Sequence, residues 1–180
     1  MNVYRNSEDG TFDFEGAELA FCNFAGRPSK YNNEGKRNFS IVIRDPEVAQ
    51  MLTDEGFNVR IRAPRDPDEE PRYMLKVNAN FTQNRRRDPF VEMVVGHSRT
   101  RLTGYSLEEI GKYGDDVARL DDENIQFSDL TIRGWEYEEG KKSAYLVELH
   151  ANIKRSRWMD KYAGEEYPAE EDVDEPPFHG

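Results

Sequence analysis

Alternating apolar and polar positions recur along most of the chain and predict strands. The cleanest run is Arg72 to Phe81, where Tyr73, Leu75, Val77, Ala79 and Phe81 share one face. Arg72, Met74, Lys76, Asn78 and Asn80 share the other. Phe14 to Phe24 predicts an earlier strand, and Lys36 to Ile43 a second, with Arg37, Phe39 and Ile41 alternating together. Phe57 to Ala63 sets Val59 and Ile61 against Arg60 and Arg62, and Phe90 to Val95 is a shorter strand. Ile125 to Glu138 and Ser143 to Lys154 predict a hairpin about Glu139-Gly140. Its first arm projects Thr131, Arg133, Trp135 and Tyr137 to one side, opposite Leu130, Ile132 and Gly134. Its second arm sets Tyr145, Val147, Leu149, Ala151 and Ile153 on a core face.

Two short helices are expected. Asp45-Pro46 starts one over Glu47 to Asp54, stopped by Gly56, and Tyr105 to Tyr113 is the other. Residues 25–35 and 64–71 read as loops, and Gly114 to Asn124 as an acidic connection. About six strands, two short helices and no βαβ rhythm imply a mostly antiparallel sheet or barrel. A five-stranded Greek-key barrel of the OB type, elaborated by extra strands and loops, fits this pattern, with a β-sandwich as the alternative. The expected organisation is an N-terminal extension over 1–11, the barrel over 12–158, and a disordered acidic tail over 159–180.

Charge sharpens this picture. The 180 residues carry a net charge of −11, but from Asp160 onward eight acids face one base. The rest of the chain is only mildly acidic and holds basic stretches: Arg27 to Arg44, the group Arg85, Arg86, Arg87, Arg99 and Arg101, and Lys154, Arg155 and Arg157. Arginine outnumbers lysine 17 to 8, which suits phosphate forks and stacking on bases. A single cysteine, Cys22, excludes an internal disulfide framework, and no Cys and His cluster has zinc spacing. The polar N-terminus is no signal peptide, and no apolar run reaches membrane-spanning length, so a cytoplasmic protein that does not contact membrane is expected.

Catalysis has little to draw on. His97, His150 and His179 are scattered, and no nucleophile elbow, phosphate loop or dinucleotide fingerprint occurs. Asp121, Asp122, Glu123 and Asp129 would suit a magnesium-dependent nuclease, or else are a solvated connection before a strand. No cofactor is implied.

Nucleic acid is the better fit. Single strands are held by a cationic groove that tracks phosphates and by aromatic faces on which bases stack. Arg27, Lys30, Tyr31, Lys36 and Arg37 bring both ingredients together, with Asn32, Asn33 and Asn38 as hydrogen-bonding groups. Phe39 alternates as a core residue, whereas Tyr31 lies in a polar loop and is expected to be exposed. Trp135 and Tyr137 beside Arg133 are either a stacking platform or the cap of an open barrel end. Arg85, Arg86 and Arg87 precede Pro89 in a turn that suits a phosphate clamp. Lys76, Lys154 and Arg155 complete the candidate DNA contacts. In the tail, Asp172, Asp174, Glu175, Pro176, Pro177 and Phe178 suit docking into a basic-rimmed apolar pocket of a partner protein.

Two resemblances follow from these residues. The tail resembles the acidic tip of bacterial single-stranded DNA-binding proteins, except that His179 and Gly180 follow the phenylalanine. The body, from about Ala20 to Ile153, resembles the OB-fold single-stranded DNA-binding proteins of tailed bacteriophages. That resemblance rests on Asn23-Phe-Ala-Gly26, Gly35-Lys-Arg-Asn-Phe39, Asp54-Glu-Gly-Phe-Asn-Val59, Tyr73-Met-Leu-Lys-Val77, Asp129-Leu-Thr-Ile-Arg-Gly-Trp135 and Ser143-Ala-Tyr-Leu146. It implies a protein that coats exposed single strands in phage replication or recombination without catalysis. It also implies Lys36, Arg37, Lys76, Arg133 and Trp135 as DNA contacts. The tail would recruit replication or recombination proteins, and a homo-oligomer is left open. The alternatives are the nuclease and a tail-driven scaffold whose body binds no nucleic acid.

Overall fold

The computed structural model describes residues 1–64, 66–82, 86–104 and 115–155. Its strands are β1 (Asn2–Arg5), β2 (Thr11–Asn23), β3 (Asn38–Ile43), β4 (Val59–Arg62), β5 (Arg72–Asn78), β6 (Phe90–Val95), β7 (Ser98–Thr103), β8 (Asp115–Asp116), β9 (Ile125–Glu138) and β10 (Lys141–Ile153). A helix, α1 (Pro46–Asp54), follows β3, and a 3-10 turn (Val117–Asp122) precedes β9.

Five strands close a ring. β2 pairs with β3, β3 with β5, β10 with β9 and β9 with β2, all antiparallel, while β5 pairs with β10 in parallel. Taken in chain order, the third ring strand therefore meets the fifth, and the fourth returns to the first. That is the OB barrel, and the β-sandwich alternative is excluded. β4 and β10 take successive parts of the same edge of β5, and the β6–β7 hairpin continues from β10.

The barrel is filled by the inward residues that alternation predicts. Phe14, Phe24, Phe39, Ile41, Leu75, Val77, Ile132 and Leu149 are all buried. Phe39 stacks on Phe24 at 5.4 Å and is core. Each such side chain contributes on the order of 1.5–3 kcal/mol by leaving water. The helix forms where its cap predicts: the Asp45 carboxylate accepts from Glu47 N at 2.8 Å, Pro46 opens the first turn, and Ala49 and Leu52 are buried.

Several expectations are corrected. Residues 2–5 form a strand paired with β2, which no alternation had marked. β7 lacked a sequence signal because Leu102 is its only large apolar residue. The acidic connection contains the 3-10 turn, which buries Val117 and Leu120. Tyr145 and Val147 are not core. The β9–β10 register slips between Leu146 and Glu148, a bulge at Val147. One inserted residue reverses the phase, so Ala144 and Leu146 point inward before it and Leu149 and Ala151 after it. The helix expected over residues 105–113 lies outside the described residues. So do Arg85 and the tail, including Asp172, Asp174, Glu175, Pro176, Pro177 and Phe178.

Candidate nucleic-acid interface

Register places one set of side chains on the outward face of the barrel. β5 turns Met74, Lys76 and Asn78 outward, opposite the inward Leu75 and Val77. Across the sheet these pair with Val42, Ser40 and Asn38 of β3, and Asn78 also pairs with Tyr145 of β10. Tyr145 pairs in turn with Arg133, and Ser143 with Trp135. β4 adds Arg60 and Arg62 beside Met74 and Arg72. The consequence is a continuous basic and aromatic track across four strands.

Three neighbouring concavities mark this track. A groove of ≈ 410 Å³ is lined by Phe21, Arg60, Arg62, Lys76, Tyr137 and Lys142, among others. A second, of ≈ 250 Å³, lies between Asn80, Arg133, Gly134, Trp135 and Tyr145. The third, of ≈ 290 Å³, shares Asn80 and reaches Arg37, Phe81 and Gly104. Six bases (Arg37, Arg60, Arg62, Lys76, Arg133, Lys142) line the three, and among the described residues no carboxylate does; an adjoining concavity that shares Phe21, Arg62 and Met74 is edged by Glu18 and Glu69. Among the described residues, only Lys142 of the six makes an ion pair, to Glu55 at 3.9 Å. Asp9 is the acid that senses Arg133. Hydrogen bonds from the Thr11 hydroxyl and backbone hold its carboxyl below the usual range, and Arg133 adds to that.

The aromatics stand clear of the core. Trp135 is 68% exposed, Tyr137 58% and Phe21 61%, so Trp135 and Tyr137 do not cap the barrel. Phe21 has φ 53°, a left-handed conformation costly for a residue with a Cβ. The register slip between Ala20 and Asn23 holds it there and turns its ring outward, 4.7 Å from the Arg62 guanidinium. Strain of this kind concentrates at functional positions.

The β2–β3 loop flanks the track and is held firmly. Asp121 Oδ1 and Oδ2 accept from Phe24 N at 2.7 Å and Ala25 N at 2.9 Å. Asn32 Nδ2 donates to the carbonyls of Arg27, Asn33 and Lys36, and its Oδ1 accepts from Asn38. Asn32 and Asn38 therefore build the loop and do not stand free for a ligand. Gly26 has φ +67°, and a Cβ there would lie 3.0 Å from the Gly35 backbone, so the neck of this loop admits only glycine. From this frame Arg27, Lys30, Tyr31 and Lys36 project outward, with Lys30 Nζ 5.4 Å from the ring of the 82%-exposed Tyr31.

The structure thus gathers Lys76, Arg133, Trp135, Tyr137 and Arg37 on one track, with Arg27, Lys30, Tyr31 and Lys36 on the adjoining loop. Arg86 and Arg87 are exposed in the turn before β6. Lys154 and Arg155 lie beyond the far end of β10, roughly 30 Å along the strand from Tyr145. They are not brought to the track. Phe21, Arg60, Arg62, Lys142 and Tyr145 join it without having been singled out. The Arg60/Arg62 alternation was the one available signal.

Two of the four candidate nuclease acids are used otherwise. Asp121 is committed to the loop, and Asp129 Oδ1 accepts from Gly16 N at 2.8 Å. Among the described residues, no group of three or more His, Cys, Asp or Glu side chains could hold a metal ion. Burial, with Asp121 nearby, pushes the Cys22 thiol up to about 12, so it is a poor nucleophile at neutral pH. No described helix is long and apolar enough to cross a membrane.

Comparison with known proteins adds to this geometry. A family described as "Putative phage ssDNA-binding domain" matches residues 2–177. No curated protein sequence matches. Among solved structures the chain is similar to "Single-stranded DNA-binding protein from bacteriophage Enc34, C-terminal truncation". The TM-score is 0.42 and the identity 13%, over 82% of this chain and 88% of that one.

Proposed function

The chain belongs to the phage ssDNA-binding domain family, and from that premise we propose that it coats single-stranded DNA with little sequence preference, without catalysis. The observation that carries this reading is the basic track: six bases and several outward aromatics lining three neighbouring concavities, in a chain of net charge −11. A protein with that net charge repels a polyanion at long range, so binding requires local concentration of cations. Phosphates would lie along Arg60, Arg62, Lys76, Lys142 and Arg133, and bases would stack on Trp135, Tyr145, Tyr137 and Phe21. Stacking uses the π face that every base has, which makes the binding sequence-tolerant.

The setting we infer is phage replication, recombination or repair in the host cytoplasm, where exposed strands need protection. The residues around Phe178 would recruit partner proteins. Incubation of the full chain with a labelled single strand, with and without magnesium, tests the reading. A shifted, intact strand under both conditions supports it. Magnesium-dependent cleavage would replace it with the nuclease reading, and no shift would leave the scaffold.

A further inference from the structure

Arg37 is oddly placed for an arginine. It sits at the mouth of the barrel in the inward phase of β3, one residue before the strand, with its carbonyl accepting from Ala79 N at 2.9 Å. Its guanidinium rests 5.5 Å from the ring centre of Phe81, and its Nη1 is buried with no hydrogen-bond partner. A buried, unpaired donor on a permanent cation is a standing cost to the fold. The local packing enforces the arrangement. Gly104 closes over the pair so tightly that a Cβ there would overlap both Arg37 Nη1 and the Phe81 ring. The cavity that Arg37 lines is bounded by Gly35, Asn80, Thr82 and Gly104, and among the described residues no carboxylate lines it. Asn80 belongs both to this cavity and to the Trp135–Tyr145 cup.

We propose that the Arg37 cavity is a phosphate subsite, which takes one backbone phosphate of the strand while an adjacent base stacks in the Trp135–Tyr145 cup. A phosphate in the cavity would be held by the positive charge of the guanidinium that lines it, while Nη1 itself stays enclosed against Gly104 and Phe81. Phe81 holds the guanidinium plane by cation–π contact, so little side-chain freedom is lost on binding. Asn80, common to both walls, would sit between phosphate and base. This subsite rests on the single-strand reading above, and its test separates the two.

The test uses the full chain and Arg37→Leu, with Arg37→Lys as the conservative variant. Without anions, Arg37→Leu should melt about 2–4 °C higher than the wild type, because the unpaired donor is gone. Inorganic phosphate should raise the wild-type melting temperature by more than that of Arg37→Leu. On oligo-dT, the slope of log affinity against log salt should fall by about 0.7 in Arg37→Leu, one phosphate contact, and be restored in Arg37→Lys. A melting temperature that falls in Arg37→Leu, with an unchanged salt slope, would make Arg37 a structural prop and overturn the subsite. Oligo-dT binding by the wild type with equal slopes in both variants would also overturn it, while the single-strand reading stood. Failure of the wild type to bind oligo-dT at all would remove that reading, and the strand subsite with it.

Discussion

Trp135 is one of the side chains proposed to stack on bases, and its exposure makes that role testable. An indole that is 68% exposed adds little to the core. Trp135→Ala should leave stability within about 0.5 kcal/mol of the wild type, yet weaken single-strand binding by roughly 1–3 kcal/mol. Titration and thermal melting of the same variant give both numbers. Bound oligonucleotide should also quench the tryptophan fluorescence of the wild type. The outward placement of Trp135 was legible, because it alternates with Leu130 and Ile132. Tyr145 was not, since the bulge at Val147 reverses the phase of β10 and a bulge leaves no mark on binary pattern. Phe21 was illegible for another reason. A positive φ at a non-glycine is imposed by tertiary register, not by the residue itself.

At the scale of elements, two junctions hold the site in place. The β2–β3 loop hangs from Asp121, whose carboxylate accepts from the backbone N–H groups of Phe24 and Ala25. Hydrogen bonds to a charged acceptor are worth about 1.5–3 kcal/mol, so Asp121→Ala should cost on that order in chemical denaturation. It should also loosen the loop that presents Lys30 and Tyr31. The second junction is β6 on β10, where His150 Nδ1 meets Glu92 at 2.9 Å and Nε2 meets Glu148 at 2.7 Å. Burial alone would lower the imidazole pKa, but the two carboxylates outweigh it and the net shift is upward. A raised folded-state value means the stabilisation is complete below the unfolded value of about 6.5 and is lost as pH rises through the folded one. Melting temperatures from about pH 5.5 to about pH 8.5 should therefore fall more steeply for the wild type than for His150→Gln. Most strands were readable from alternation alone. β7 and β1 were not, because β7 has one large apolar residue and β1 is mostly exposed, and pairing rather than pattern makes both into strands.

Across the whole molecule, opposing charges are segregated. The last 21 residues carry a net −7, while the described barrel face gathers cations into a basic track. An acidic tail on the same chain competes with anionic DNA for that track, and salt screens the competition. Truncation after Met159 should therefore raise single-strand affinity most at low ionic strength and little near molar salt. Phe178→Ala keeps the charge, so it should leave DNA affinity nearly unchanged while abolishing capture of partner proteins through the tail. The closed ring itself was legible only as a class. Its one parallel pairing, β5 with β10, joins residues far apart in the chain and depends on a register that no local pattern encodes.

The most direct test of the account is the salt dependence of affinity for oligo-dT, set beside that for a duplex of equal length. Each neutralised phosphate on a single strand contributes about 0.7 to the slope of log affinity against log salt. If all six track bases contact phosphates, a slope of roughly −4 is expected, with much weaker binding of the duplex, whose bases cannot reach Trp135, Tyr137 or Tyr145. A flat salt response, or equal affinity for duplex and single strand, would contradict the account.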